Sequence, residues 1–113
     1  MKKDQYIPDR GDIIWLDHDP TKGKEQRGNR PVVVLTDKKY NQFGLLISVP
    51  ITTKQKGYMT EVELPDNLIS TGVILTNHIR THDWQHRKIQ YIERISALTI
   101  EKINKRMRAL LHL

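Results

Sequence analysis

Six short apolar runs, none longer than seven residues, set the limits on this fold. They are Ile13–Leu16, Val32–Leu35, Leu45–Val49, Glu61–Leu64, Gly72–Thr76 and Ile89–Ile95. Runs this short, rich in β-branched residues and bounded by Gly, Pro and polar clusters, read as strands. Val32–Leu35 and Gly72–Thr76 are continuous and suit buried strands. Leu45–Val49 is expected to end at Pro50. Glu61-Val62-Glu63-Leu64 alternates and reads as half-exposed. In Ile89–Ile95, Ile89, Tyr91 and Glu93 alternate with Gln90, Ile92 and Arg94. TTKQKG, residues 52–57, is a polar loop closed by Gly57.

The end of the chain changes period. From Ala97 onward, Ile100, Ile103, Met107, Leu110 and Leu111 recur at helical spacing, and Lys102, Lys105, Arg106 and Arg108 take the other face. Ser96 is the expected N-cap, and Glu101 is expected near the positive end of the helix dipole. Short strands followed by one helix predict an α+β, mainly β architecture: a small, strongly curved barrel with the helix packed on it. At 113 residues, the chain reads as one domain, 1–113, of a size that often gains stability by pairing with a copy of itself. It has no cysteine, so neither disulfides nor thiolate chemistry enter. No run approaches a membrane span, and the basic start lacks the apolar stretch of a signal peptide. A soluble cytoplasmic protein is the expectation.

The net charge of +6 is unevenly spread. Residues 84–113 hold seven Lys/Arg against two Asp/Glu, whereas residues 31–83 hold five of each. Such an excess attracts phosphate backbones or acidic proteins, and it also suits a solvated helix face. The segment Asp19–Pro31, DPTKGKEQRGNRP, is broken by Pro20, Gly23, Gly28 and Pro31 and reads as a long loop. A loop this long in so small a domain calls for a reason. Lys22, Lys24, Glu25, Gln26, Arg27, Asn29 and Arg30 are donors and acceptors rather than packing groups. Arg30, beside Pro31 at the start of a strand, should be the best placed of them. On chemistry alone this is an anion-binding loop or a solvated surface loop.

Residues 11–35, GDIIWLDHDPTKGKEQRGNRPVVVL, resemble the opening signature of the MazF/PemK family of toxin endoribonucleases. Tyr40-Asn41, VPITTKQKGY at 49–58, GVILTNHIRTHDW at 72–84 and the C-terminal helix continue the resemblance in order. It implies an SH3-like barrel, assembled as a symmetric homodimer. The implied activity is sequence-specific cleavage of single-stranded mRNA without metal or cofactor, and the implied partner is an antitoxin whose acidic, flexible tail covers the RNA groove.

The resemblance also carries roles. Arg30 matches the family's key arginine, whose planar fork suits two phosphate oxygens at once. Thr52 matches its threonine; whether Thr52 or Thr53 faces inward is open, because a one-residue slip turns the side chain over. Glu25 matches a loop glutamate associated with activity, as general base or as the group orienting Arg30. Gln26 is expected to contact a base or shape the loop, and Arg27 to meet a phosphate. Lys22, Lys24, Asn29, Lys54, Lys56, Asn77 and Arg80 complete the candidate RNA contacts. Where PemK-like members carry an arginine and an aspartate, this chain has Leu75 and Asn77, so an Asp–Arg catalytic pair is absent. Two other classes compete: a gyrase-binding toxin of similar barrel shape, like CcdB, and a barrel that binds RNA without cutting it. His78, His82 and His86 recur at spacing four, but Ile79 stands where a zinc-protease motif needs glutamate, so no metal site is expected. His18 reads as edge packing, Asp83 as a turn residue, and Trp15 and Trp84 as buried ring area.

Overall fold

The computed structural model describes residues 5–17 and 30–113. The elements are β1 (Asp12–Leu16), β2 (Arg30–Val34), α1 (Lys38–Asn41), β3 (Leu45–Thr52), β4 (Glu61–Glu63), β5 (Val73–Leu75), β6 (Arg80–Asp83), a 3-10 turn at Trp84–His86, β7 (Ile89–Arg94) and α2 (Ala97–Leu111). Among the described residues the strands form one antiparallel sheet in the order β4-β5-β3-β2-β1-β7, with β6 paired to β3. The mainly β architecture with a C-terminal helix is as the sequence predicts. No helix among the described residues is long and apolar enough to cross a membrane.

Alternation along the strands sorts the core into two clusters, one on each face of the sheet. Ile13, Val33, Val49 and Ile51 join Ile74, Ile95 and Ile103 in one of them. Ile14, Leu16, Val32, Val34, Leu46 and Trp84 form the other. This is why the β1 and β2 runs are continuously apolar: both of their faces are covered. Helix α2 seals the first cluster through Ile103, 1% exposed, with Ile100 and Met107 alongside. Its N-cap is Ser96, whose Oγ accepts from Thr99 N–H at 3.2 Å. Leu110 and Leu111, expected on the apolar stripe, are exposed because the helix runs past the core. Glu101 sits in the second turn, and the first turn carries no acid.

Four local expectations are corrected. Strand β3 does not end at Pro50 but continues to Thr52. On one edge, β3 pairs with β6 through Ser48 and with β5 from Ile51, so Pro50 falls at the handover, where that edge has no ladder to lose. Asp83, expected in a turn, ends strand β6 (Arg80–Asp83), whose polar RTHD sequence carries no apolar period; backbone pairing with Leu45–Ser48 makes it a strand. Glu61 lies inside, 8% exposed, instead of on the solvent side of an alternating strand. Finally, β7 pairs with β1 through a register shift between Ile13 and Ile14, so Ile13 faces Glu93 while Ile14 faces Tyr91. Ile92 consequently packs against the first cluster and Ile89 against the second.

Candidate functional site

Two strand ends frame the candidate site. β2 opens on Arg30 and β3 closes on Thr52. Their antiparallel register runs Val34↔Ser48, Val33↔Val49, Val32↔Pro50. Continued two residues further, it sets Arg30 opposite Thr52, with both side chains on the same face. Arg30 is exposed and Thr52 half-buried. Of the two threonines, Thr52 therefore shares the arginine's face, and Thr53 lies beyond the strand, exposed.

The surroundings of Thr52 are tightly built. Its Oγ1 accepts from Lys54 N–H at 3.1 Å, which leaves the hydroxyl proton free to be donated elsewhere. β5 abuts it through Thr52↔Val73. Gly72, with φ +115°, makes that approach possible: a Cβ there would lie 2.1 Å from the Thr52 carbonyl oxygen. Nothing in the sequence distinguishes this glycine from an ordinary turn residue.

Arg80 opens β6 opposite Ser48, on the Thr52 face of β3. Four residues of strand separate Ser48 from Thr52, roughly 13 Å. Arg80 and Asn77 are exposed, Asn77 in the turn that links β5 to β6. Leu75 is half-buried in β5. Lys54 and Lys56 are exposed in the loop after Thr52. Lys22, Lys24, Glu25, Gln26, Arg27 and Asn29 lie outside the described residues, as does His18.

The same end of the sheet holds groups that the sequence does not single out. Leu16 pairs with Arg30 on one side and Ile89 on the other. Beside them opens a groove of about 710 Å³ lined by Tyr6, Trp15, Trp84, Arg87, Lys88 and Gln90, among others. Arg87 Nη1 donates to the Asp17 carbonyl at 2.8 Å. The charge excess in residues 84–113 is the one signal that could have pointed to Arg87 and Lys88. Trp84, 3% exposed, forms the groove's base and donates Nε1–H to the Asn41 carbonyl at 2.8 Å.

At the opposite end, Asp12 is buried. It accepts from Tyr6 Oη at 2.5 Å, Asp9 N–H at 2.9 Å and Arg94 Nη1 at 2.9 Å. Burial, reinforced by the bond to Asp12, pushes the Tyr6 phenol well above its ordinary range. This network closes the Asp12 end of β1, and Tyr6 links it to the groove. The three histidines fall on a turn (His78), a strand (His82) and the 3-10 turn (His86), so no helix aligns them. His86 Nδ1 lies 2.8 Å from Asp83 Oδ2, and that hydrogen bond holds the Asp83 carboxyl below its usual range. No group of three or more His, Asp or Glu that could hold a metal ion is gathered among the described residues.

Residues 9–111 match the family model described as PemK-like, MazF-like toxin of type II toxin–antitoxin system. The chain is 46% identical over 84 residues to the endoribonuclease toxin MazF of Escherichia coli K12, covering 74% of this chain and 75% of that protein. It is 30% identical to the endoribonuclease toxin ChpB of the same strain over 96% and 97% of the two chains. The fold superposes on MazF in a crystal structure of MazE–MazF from Deinococcus radiodurans with a TM-score of 0.86, at 33% identity, over 96% of this chain and 99% of that one.

Proposed function

The chain belongs to the PemK-like, MazF-like toxin family of type II toxin–antitoxin systems, and from that premise we propose that it cuts single-stranded mRNA at the sheet end carrying Arg30 and Thr52. It is an endoribonuclease toxin, and an antitoxin is its partner. The single observation that carries the site is the β2–β3 register. Continued two residues past Val32↔Pro50, it brings the exposed Arg30 and the half-buried Thr52 to the same face of neighbouring strand ends, where one phosphate is proposed to meet both.

In the proposed reaction the ribose 2′-OH attacks the adjacent phosphorus and the bond to the 5′-oxygen breaks. The products are a 2′,3′-cyclic phosphate and a 5′-hydroxyl. The 2′ proton leaves to a base, and the departing 5′-oxygen takes a proton from solvent water, so protons balance. Glu25 is the proposed base, or else the group that orients Arg30. Arg30 holds two phosphate oxygens and stabilises the charge of the pentavalent state. A guanidinium keeps its proton in proteins, so an acid–base role is not assigned to the arginine. Thr52 donates its free hydroxyl proton to the same phosphate. Asn77 cannot take a proton as a carboxylate would, so the chemistry rests on Arg30 and Thr52 rather than on an Asp–Arg pair.

The remaining cations bind the flanking chain. Arg80 is too far along β3 for the scissile phosphate and suits another nucleotide of an extended strand. Lys54 and Lys56 meet the backbone from the neighbouring loop. Lys22, Lys24, Gln26, Arg27, Asn29 and Thr53 complete the RNA surface. The working form is a homodimer in the cytoplasm, and the acidic tail of the antitoxin covers this basic surface.

The test is cleavage of a broad panel of single-stranded RNAs by purified protein in EDTA, with end-mapping of the products. Cyclic-phosphate and 5′-hydroxyl ends are expected. RNA left intact by excess protein, together with inhibition of purified gyrase, would replace this reading with the gyrase-binding one; bound but uncut RNA would leave a non-catalytic barrel.

A further inference from the structure

The loop between β3 and β4 is held mainly through its backbone, with one side-chain tie from Gln55 Nε2, which donates to Glu63 Oε2 at 3.0 Å. From Thr53 to Met59 every residue is exposed, so no buried apolar group anchors it. A chain segment ordered without burial needs other ties to offset its lost conformational freedom. Three act on the backbone. The Glu61 carboxylate accepts from Lys56 N–H at 3.1 Å and Gly57 N–H at 2.9 Å. The Arg106 guanidinium, on α2, donates to the carbonyls of Met59 and Glu61. Thr76 Oγ1 donates to the Thr60 carbonyl at 2.6 Å.

The first tie is unusual in its chemistry. Two successive N–H groups, with Gly57 at φ +81°, form a concavity that favours an anion. Here the anion is the chain's own Glu61, a carboxylate only 8% exposed. Burying a carboxylate is costly unless its oxygens are well hydrogen-bonded. A strand residue at this place could be apolar at no such cost; the carboxylate fixes the shape of the loop instead. The ties also run without a break. Thr52 Oγ1 accepts from Lys54 N–H, Glu61 accepts from the next two residues but one, and Arg106 joins the far limb to a helix whose Ile103 is locked in the core.

We propose that Glu61 and Arg106 are positioning residues that hold the 53–60 loop so that Lys54 and Lys56 meet the phosphates flanking the cut. The inference rests on RNA being the substrate of this site. It assigns to a buried acid and a helix arginine, neither of which touches RNA, a share of the enzyme's RNA affinity.

The experiment measures binding of a single-stranded oligonucleotide carrying the mapped cut site, with a 2′-deoxy sugar at the scissile position to block cleavage, across a range of salt. Losing both lysine–phosphate contacts should make the slope of log affinity against log salt shallower by about 1.4, at about 0.7 per contact on a single strand. The Lys54→Ala/Lys56→Ala double variant sets that reference. Glu61→Gln retains one acceptor but turns an NH₂ toward the loop's N–H groups, and Arg106→Gln frees the far limb. Both are expected to move the slope at least half as far as the double variant, with the melting midpoint nearly unchanged and KM raised more than kcat is lowered. A merely structural role would lower the active fraction and leave the slope alone. Wild-type slopes in both Glu61→Gln and Arg106→Gln, beside a shallow slope in the lysine double variant, overturn the positioning role. Should Glu61→Gln fail to fold, Arg106→Gln decides alone. A wild-type slope in the lysine double variant overturns the RNA-contact reading of the loop and the inference with it.

Discussion

Replacing Arg30 by alanine should slow RNA cleavage by about 10²–10³-fold, the usual cost of removing one donor aimed at charge that develops in the transition state. In free energy this is roughly 3–4 kcal/mol of barrier. The fold should hardly notice. Arg30 is exposed at the first residue of β2, and exposed substitutions of this kind stay within about 0.5 kcal/mol. Thr52→Val keeps the shape and removes the hydroxyl. A hydrogen bond to a charged group contributes about 1.5–3 kcal/mol, so a ten- to hundredfold loss of rate is expected.

The geometry makes a sharper demand on the pair. Side chains directly opposite on neighbouring antiparallel strands have Cβ atoms about 5 Å apart, close enough to reach one phosphate together. Groups that act on one phosphate are not independent. The double variant should therefore fall short of the product of the single effects, with a coupling of about 1 kcal/mol. Arg30→Lys keeps the charge but not the fork and should lie between wild type and alanine. Single-turnover cleavage of an end-labelled RNA in EDTA, with a melting curve for each variant, measures all four corners of the cycle. Strict additivity would mean that the two side chains act at different places. An Arg30→Ala protein that cuts within threefold of wild type would remove the arginine from the chemistry altogether.

Two further expectations concern the scaffold. Burial pushes the Glu93 carboxyl up, but the N–H groups of Ile69 and Ser70, at 3.0 and 2.7 Å, more than offset it, so its pKa falls below the ordinary 4.5. A lowered acid stabilises the fold fully above 4.5 and loses that contribution as pH falls through the folded value; the stability difference between wild type and Glu93→Gln in urea should be constant near neutrality and shrink below that pH. Gly72→Ala should cost upward of about 1–2 kcal/mol, because φ is positive and the new Cβ meets the Thr52 carbonyl, and it should also lower the cleavage rate of the folded fraction.

The strands that pack were legible because burial leaves a pattern. Val32–Val34 and Val73-Ile74 are continuous runs because both faces of their strands are covered. Helix α2 was legible through Ile100, Ile103 and Met107 at helical spacing. What the sequence concealed is held by backbone pairing or by single polar atoms. Strand β6 reads RTHD and owes its form to Leu45–Ser48. Helix α1 is four residues long, capped by Asp37 and pinned by Asn41, whose Nδ2 donates to Pro8 and Thr36 carbonyls. Such contacts depend on residues distant in sequence, and no local period reveals them. The candidate site was half legible: the place of Arg30 at the start of a strand follows from Pro31 beside it, whereas which of Thr52 and Thr53 shares its face needed the register of two strands.

The carboxylates complete the division of labour in this basic chain. Asp12 takes the Asp9 N–H and Arg94, and Asp9 takes the N–H groups of Lys38 and Arg10, which outweigh its partial burial and lower its pKa. Glu61 and Glu93 each hold two backbone N–H groups of a neighbouring loop. Four acids are thus committed by their hydrogen bonds to fixing loops. Arg30, Arg80, Lys54 and Lys56, by contrast, are all exposed. Glu25, outside this set of four, is the base proposed above for the 2′-OH. Glu25→Gln should lower the single-turnover rate while leaving the salt slope of RNA binding unchanged; an undiminished rate would move the base to another group and leave Glu25 no part in the chemistry.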